Sequence, residues 1–241
     1  MPRIAFLVPL MLCAGAAASA RSADELSAAL AAAAPAADPV AIERAVQAMH
    51  CVQPGDAAPA TRLALIDYSL PSTAPRLWVF DLATLRLSRE ERVAHGQGSG
   101  DNHATRFSND PGSHQTSLGL FRTADTYVGR NGYSLRLQGL EPGVNDRAME
   151  RAIVMHGAPY VSEGAVRLLG RLGRSWGCPA VRPEIARTLI DEIKGGQYLY
   201  AYHPASSPVA DAPASGCAMG NASVAREPAV APPRTRARAA S

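Results

Sequence analysis

Between Leu63 and Tyr202 the apolar residues come in short runs separated by Gly, Pro and Asn, and this spacing limits what the chain can become. Apolar runs of about 4–8 residues bounded by turn formers read as strands. Leu63 to Tyr68, Leu77 to Leu82 and Leu85 to His95 provide three, with Pro71, Ser72, Thr73 and Pro75 turning the chain between the first two. Leu118 to Phe121, Tyr127–Val128, Ser134 to Leu140, Ile153 to His156 and Tyr198 to Tyr202 are further short strands. Two helices stand at the margins. Asp38 caps and Pro39 opens the first, with Val40, Ile42, Val46 and Met49 as its apolar face. Pro183 opens the second, with Ile185, Leu189, Ile190 and Ile193 turned inward and Gly195–Gly196 as its stop. Asn145 to Met149 reads as a helical turn. Gly96 to Gly112 is polar and glycine-rich, a loop of the length that is often functional.

The ends differ from this body. Arg3, the apolar run Ile4 to Leu12 and the small residues Ala18-Ser19-Ala20 follow the pattern of a cleaved secretory signal. The run is too short to span a bilayer, and no later apolar stretch is long enough to do so. The expected organisation is a signal over 1–20, an Ala-rich leader over 21–37, one folded domain over 38–203, and a disordered Ala/Pro/Arg-rich tail over 204–241. The location expected for the protein is the periplasm or cell envelope. Most of the surplus positive charge sits in Arg3 and in Arg226, Arg234, Arg236 and Arg238, which leaves the body balanced. A nucleic-acid partner calls for a basic stripe on the folded part, and none is present.

Cysteine usage narrows the chemistry. Cys13 leaves with the signal, and Cys51, Cys178 and Cys217 remain. In an oxidising compartment an odd count leaves at least one thiol unpaired. Cys51 and Cys217 lie at the margins of the body and are able to pair, which leaves Cys178 free.

The neighbours of Cys178 suit a nucleophile. The segment reads Gly173-Arg174-Ser175-Trp176-Gly177-Cys178-Pro179-Ala180-Val181-Arg182-Pro183. Gly177 permits close backbone approach, and Pro179 keeps Cys178 out of the helical region. The amides of Gly177 and Cys178 are candidate oxyanion donors. Arg174, Arg182 and the helix opened by Pro183 are expected to lower the thiol pKa. The best-placed base is His156, which ends an apolar strand, precedes Gly157 and lies 22 residues before the cysteine. A lone histidine at a strand end is more often structural, and the residues alone leave both readings open. His95, His156 and Cys178 lack a standard metal spacing, so neither metal nor cofactor is expected. Arg136 and Arg151 read as structural ion pairs or as binders of substrate carboxylates, the former favoured.

From Leu63 to Val181 the chain resembles the murein L,D-transpeptidase catalytic domain family, a branch of the YkuD-like enzymes. The likeness is carried by Ile66-Asp67-Tyr68-Ser69, Val93-Ala94-His95-Gly96, Phe107-Ser108-Asn109, Gly112-Ser113-His114 and Ser117-Leu118-Gly119. It continues through Ser134-Leu135-Arg136-Leu137, Arg151-Ala152-Ile153-Val154-Met155-His156-Gly157-Ala158 and Gly170 to Ala180. The resemblance implies a mainly β fold with a few packing helices, a sandwich or barrel in which His156 and Cys178 meet. It implies a Cys178 thioester with the third, diamino-acid residue of the peptidoglycan stem peptide and release of D-alanine. An amine or water then takes the acyl group, so that an L,D-carboxypeptidase and a noncatalytic wall-binding protein are the alternatives to a transpeptidase. Ser175 matches the hydroxyl residue before the cysteine and is expected to orient the site. Gly157, Arg174, Trp176, His95 and His114 are expected to line the substrate cleft. Where the broader YkuD-like pattern has His before Gly-Cys, this chain has Trp176. The sequence specifies no oligomeric state.

Overall fold

The computed structural model describes residues 21–52 and 59–204. The expected signal over 1–20, most of the expected tail, and Cys217 lie outside the described residues. The elements in chain order are α1 (Ala23–Ala33), α2 (Pro39–Cys51), β1 (Arg62–Asp67), β2 (Leu77–Asp81), β3 (Arg86–Glu91), β4 (Gly119–Gly129), β5 (Gly132–Gly139) and β6 (Val154–Gly157). They continue with α3 (Glu163–Leu169), β7 (Ala180–Val181), α4 (Pro183–Ile193) and β8 (Tyr198–Tyr202).

All eight strands join one sheet in the order β3-β2-β1-β8-β4-β5-β6-β7. The β1–β8 and β6–β7 pairs are parallel and the rest antiparallel. Just after β3, Ala94 bridges to Ala180 in β7. This link brings the two ends of the strand order together, so the sheet is nearly closed and the expected mainly β architecture is what forms.

Both faces of the sheet are covered, which explains why β1 reads as an unbroken apolar run. Successive side chains alternate between faces. Leu63 and Leu65 join Trp78, Phe80 and Tyr200 against α1 and α2. Ala64 and Ile66 join Val79, Leu135 and Leu199 on the other side, where α4 contributes Leu189, Ile190 and Ile193. The helix starts follow the sequence logic: Asp38 accepts from the amide of Val40 at 2.9 Å and Pro39 occupies the first turn of α2.

Several boundaries differ from expectation. Residues 21–37 are not a leader apart from the body, because Ser22 and Glu25 form a capping box on α1 and Leu30 is fully buried among α2 residues. The two fragments around Phe121 and Tyr127 are one strand, β4; its register shifts between Thr123 and Thr126, where Ala124 and Asp125 break the apolar pattern. The third strand stops at Glu91, and Val93 to Gly96 runs on as isolated bridges. The short helix α3 has no buried residue, so no apolar periodicity announced it; Ser162 caps it and left-handed Gly170 ends it.

Since Leu30 is fully enclosed, Leu30→Ala should lower unfolding free energy by about 2–4 kcal/mol, read as a shifted urea midpoint. A change under about 0.5 kcal/mol, the size expected of a surface site, would mean that α1 is not part of the cooperative unit.

Candidate active site

The site is built where β6, β7 and the segment after β3 meet. His156 is the third residue of β6 and pairs in register with Ala180 of β7 and with Ser134 of β5. Cys178 lies two residues before Ala180. Its Sγ rests against β6, accepting from the amide of Val154 at 3.5 Å, with the carbonyl of Ala152 at 3.8 Å as the acceptor for the thiol proton. Cys178 therefore lies just ahead of the strand that pairs with the one carrying His156.

The two side chains are not hydrogen-bonded to each other. The imidazole is instead fixed through Nδ1, which lies 3.0 Å from the carbonyl oxygen of Gly157. That contact puts the proton on Nδ1 and leaves Nε2 as the basic nitrogen. Catalytic hydrogen bonds in an unliganded enzyme are often open and tighten on binding substrate. Gly157 has a packing reason to lack a side chain: a β-carbon there would lie 2.8 Å from that of Ala186 in α4.

Gly177 is required by its surroundings. Its φ is +115°, and a β-carbon would sit 2.7 Å from the carbonyl oxygen of Gln115. Its amide is not an oxyanion donor as expected, because it donates to Ser175 Oγ at 3.1 Å. Ser175 Oγ in turn donates to the carbonyl of Cys178 at 2.6 Å. Ser175 is thus a clamp that shapes the cysteine turn and does not face the sulfur. Among the described residues the amide of Cys178 has no hydrogen-bond acceptor. Thr116 braces the turn from below, accepting from the amide of Gly96 at 3.0 Å and donating to the carbonyl of Gly177 at 3.3 Å.

The remaining residues expected in the cleft fall into two groups. Trp176 is 66 % exposed and stacks on His114 with ring centroids 5.0 Å apart and planes 8° from parallel. Gln97 Nε2 holds His114 through Nδ1 at 3.0 Å. These two rings form an open aromatic surface on the cysteine turn. His95, by contrast, is fully buried and cannot touch substrate. Its Nδ1 accepts from Arg76 Nη2 at 2.8 Å, and its pKa is pushed down to about 4 by burial and by that guanidinium. Arg76 is itself fully buried, donates twice to the carbonyl of Val93, and lies over the Tyr68 ring. Arg76 and His95 are a foundation for the segment that holds the cysteine turn.

The expected cations are also engaged elsewhere. Arg174 pairs with Asp101 at 2.9 Å and donates to the carbonyl of Gly100, and Arg182 forms a two-pronged pair with Glu91. The charge that reaches Cys178 is that of Arg151. Burial pushes the Cys178 thiol up, while the Val154 amide and Arg151 pull against it. Burial pushes the His156 imidazole down, with the Gly157 carbonyl opposing. The expected low thiol pKa is therefore not what this environment produces. The phenol of Tyr160, pushed up to about 12 by burial and by Cys178, and that of Tyr68 also lie within the electrostatic reach of the sulfur. No pattern in the sequence marked Tyr160, Thr116 or Val154 as part of this surround. Cys51 is disulfide-bonded and Cys178 is free; the partner expected for Cys51, Cys217, is outside the described residues. Among the described residues no three His, Cys, Asp or Glu side chains gather to hold a metal ion, and no helix is long and apolar enough to cross a membrane.

The described structure thus has a free cysteine two residues ahead of the strand that pairs with the histidine-bearing strand, in a nearly closed sheet. The family model for the L,D-transpeptidase catalytic domain matches residues 33–202. The chain belongs to that family, whose members act on peptidoglycan. No curated protein matches the chain. Among solved structures, an L,D-transpeptidase from Mycobacterium smegmatis is 15 % identical with a TM-score of 0.37, aligning 60 % of this chain with 59 % of that one. The helical cell shape determining protein Pgp2 from Campylobacter jejuni is 13 % identical with a TM-score of 0.40, aligning 65 % of this chain with 54 % of that one. An L,D-transpeptidase from Stackebrandtia nassauensis is 13 % identical with a TM-score of 0.35, aligning 68 % of this chain with 66 % of that one.

A raised thiol and a lowered imidazole make the resting pair neutral at pH 7. Alkylation of Cys178 by iodoacetamide should climb about tenfold per pH unit through neutrality and level off only above about pH 9. A plateau already present below about pH 7, read by mass spectrometry, would indicate a thiolate–imidazolium pair instead.

Proposed function

We propose that the protein is an exported peptidoglycan L,D-transpeptidase that works through a Cys178 thioester. His156 Nε2 takes the thiol proton, and Sγ attacks the carbonyl carbon between the diamino acid at stem position three and D-alanine at position four. The developing oxyanion meets the amide of Cys178. The C–N bond breaks, the imidazolium gives its proton to the departing amine of D-alanine, and the acyl group stays on sulfur. The amine of a neighbouring stem peptide then attacks the thioester, with neutral His156 again accepting a proton; the C–S bond breaks, the acyl group passes to the amine as the new cross-link, and the imidazolium returns its proton to the sulfur. Ser175 and Gly157 act indirectly, the first by shaping the cysteine turn and the second by orienting the imidazole. Trp176 and His114 are the residues of the cleft surface that a substrate meets.

The observation that carries this reading is the placement of a free thiol against the histidine strand in a chain of this family. Neutral imidazole is the form able to accept the proton, so lowering its pKa by burial suits a general base at neutral pH. Export is supported by the N-terminal pattern and by the disulfide at Cys51, because such bonds persist in oxidising compartments.

The test is incubation of the purified protein with disaccharide tetrapeptides, following D-alanine and cross-linked dimers by mass spectrometry. Dimers together with released D-alanine are expected. Tripeptide without dimers would assign hydrolysis, and no product from a folded, reduced protein would leave a binding role. Cys178→Ser should abolish turnover, and His156→Ala should lower it by about 10²–10⁴-fold. Near-normal turnover in the serine variant would remove Cys178 as nucleophile.

A further inference from the structure

Arg151 occupies an unusual position for a cation. It immediately precedes the turn into β6 and forms none of the ion pairs of the described residues. Its guanidinium is instead spread over neutral oxygens. Nη1 donates to the carbonyl of Ser108 at 2.6 Å and to the hydroxyl of Ser117; Nη2 donates to the hydroxyl of Ser113 at 3.2 Å and to the carbonyl of Gln115 at 2.6 Å. Nε is buried without a partner. Four bonds from one side chain therefore hold the loop from Ser108 to Ser117, yet leave its full positive charge without a contacting carboxylate.

That charge is directed at the cysteine turn. A β-carbon on Gly177 would lie 3.4 Å from Arg151 Nη2 and 2.7 Å from the Gln115 carbonyl that Nη2 binds. The residue after Gly177 is Cys178. The other groups around the sulfur do not supply compensation: His156 is held neutral by burial, Tyr68 and Tyr160 keep their phenolic protons, and Arg174 and Arg182 are paired with Asp101 and Glu91. Asp110 and Arg147 also act on Arg151, with opposite sign. They are exposed and partly paired with each other, so water screens them.

We propose that Arg151 is a positioning residue with two linked tasks: its unpaired guanidinium stabilises the Cys178 thiolate, and its hydrogen-bond fork ties the 108–117 loop to the cysteine turn. The proposal rests on Cys178 being the nucleophile. It adds that the electrostatic partner of the thiolate comes from the turn that leads into the strand carrying the base, in place of the arginines that flank the cysteine in sequence. Any movement of the 108–117 loop that tilts the guanidinium then changes the ionisation of the sulfur, which couples seating of substrate against that loop to nucleophile activation.

The experiment needs no peptidoglycan, so its outcome is separate from that of the transpeptidase assay. The pH profile of iodoacetamide alkylation of Cys178 is measured by mass spectrometry for the wild type, Arg151→Gln, Arg151→Lys and Arg147→Gln. Loss of an adjacent cation should move the midpoint of the Gln variant up by about one unit, so that alkylation at neutral pH falls about tenfold. Arg151→Lys keeps the charge while losing the fork, and should return the midpoint to within about 0.3 units of wild type, with higher loop mobility read as faster amide exchange over 108–117. Arg147→Gln should leave the midpoint in place. An unchanged midpoint in folded Arg151→Gln overturns the proposal, as does a Lys midpoint raised by a full unit or an equal shift in Arg147→Gln. If the Gln variant does not fold, Arg151→Met, which also removes the charge, is read in its place with the same two outcomes.

Discussion

The cysteine turn is hydrogen-bonded backbone to backbone with the segment that follows β3. Ala94 donates to the carbonyl of Ala180 at 2.8 Å and accepts from its amide at 3.4 Å. Ser175 donates to the carbonyl of His95 at 3.0 Å, and Gln97 donates to that of Ser175 at 2.8 Å. This pairing does two things at once. It links the two ends of the strand order, so neither is left as a long open edge. It also fixes residues 175 to 180 on both sides, by the 94–97 segment and by β6, so that Cys178 has little freedom except in its side chain. The buried Arg76–His95 contact beneath the pairing explains why a fully enclosed histidine is tolerated there: its ring is satisfied by a guanidinium and by the carbonyl of Gly100 at 3.4 Å.

Enclosure of the site sets its electrostatics. Removing water from a thiol and an imidazole disfavours the charged form of each, which moves their pKa values apart and keeps both neutral at rest. A neutral thiol is slower to be consumed by disulfide exchange, since the thiolate is the reactive form. The same enclosure makes the few opposing groups count for more, because the Val154 amide and Arg151 act through a medium of low dielectric. In the proposed mechanism the chemistry depends on donors that are already in place before the proton moves, a condition that the hydrogen bonds of Ser175, Thr116 and Gly157 maintain.

The sequence was readable where local rules and tertiary packing agree. Asp38-Pro39 and Pro183 start helices as their capping chemistry requires, and Tyr198–Tyr202 forms a strand as its apolar run suggests. The cysteine that lies against β6 and the histidine carried by that strand were identifiable from their neighbours and from the ordered blocks around them. Polar cross-chain contacts were not. Arg174 and Arg182 lie next to the cysteine in sequence but are drawn to Asp101 and Glu91, whereas Arg151 reaches it from 27 residues away. His95 carried the same signal as His114, a histidine in a glycine-rich loop. The difference arises because Arg76, a residue of another segment, lies under one and Trp176 covers the other. Apolar periodicity has no term for such contacts; the short α3, which buries none of its residues, and the bulged centre of β4 escaped it as well.

Backbone strain supports the same view of a preset site. Among the described residues three that are not glycine have positive φ: Leu85, His114 and Ala152. The left-handed conformation costs such a residue roughly 1–2 kcal/mol. Leu85 lies in the turn before β3, but the other two contact the cysteine turn, Ala152 at Cys178 and His114 at Trp176. The carbonyl of Ala152 is the acceptor facing Sγ, and the ring of His114 carries Trp176. Each is held by bonds that a relaxed backbone would lose, Ala152 by its amide on Met149 and the next amide on Ala148, His114 by its carbonyl accepting from Gly98 at 2.9 Å. Strain concentrated at these two points, and offset by hydrogen bonds in the surrounding turns, is how a fold keeps a sulfur, an acceptor and an aromatic surface in fixed relation before any substrate arrives.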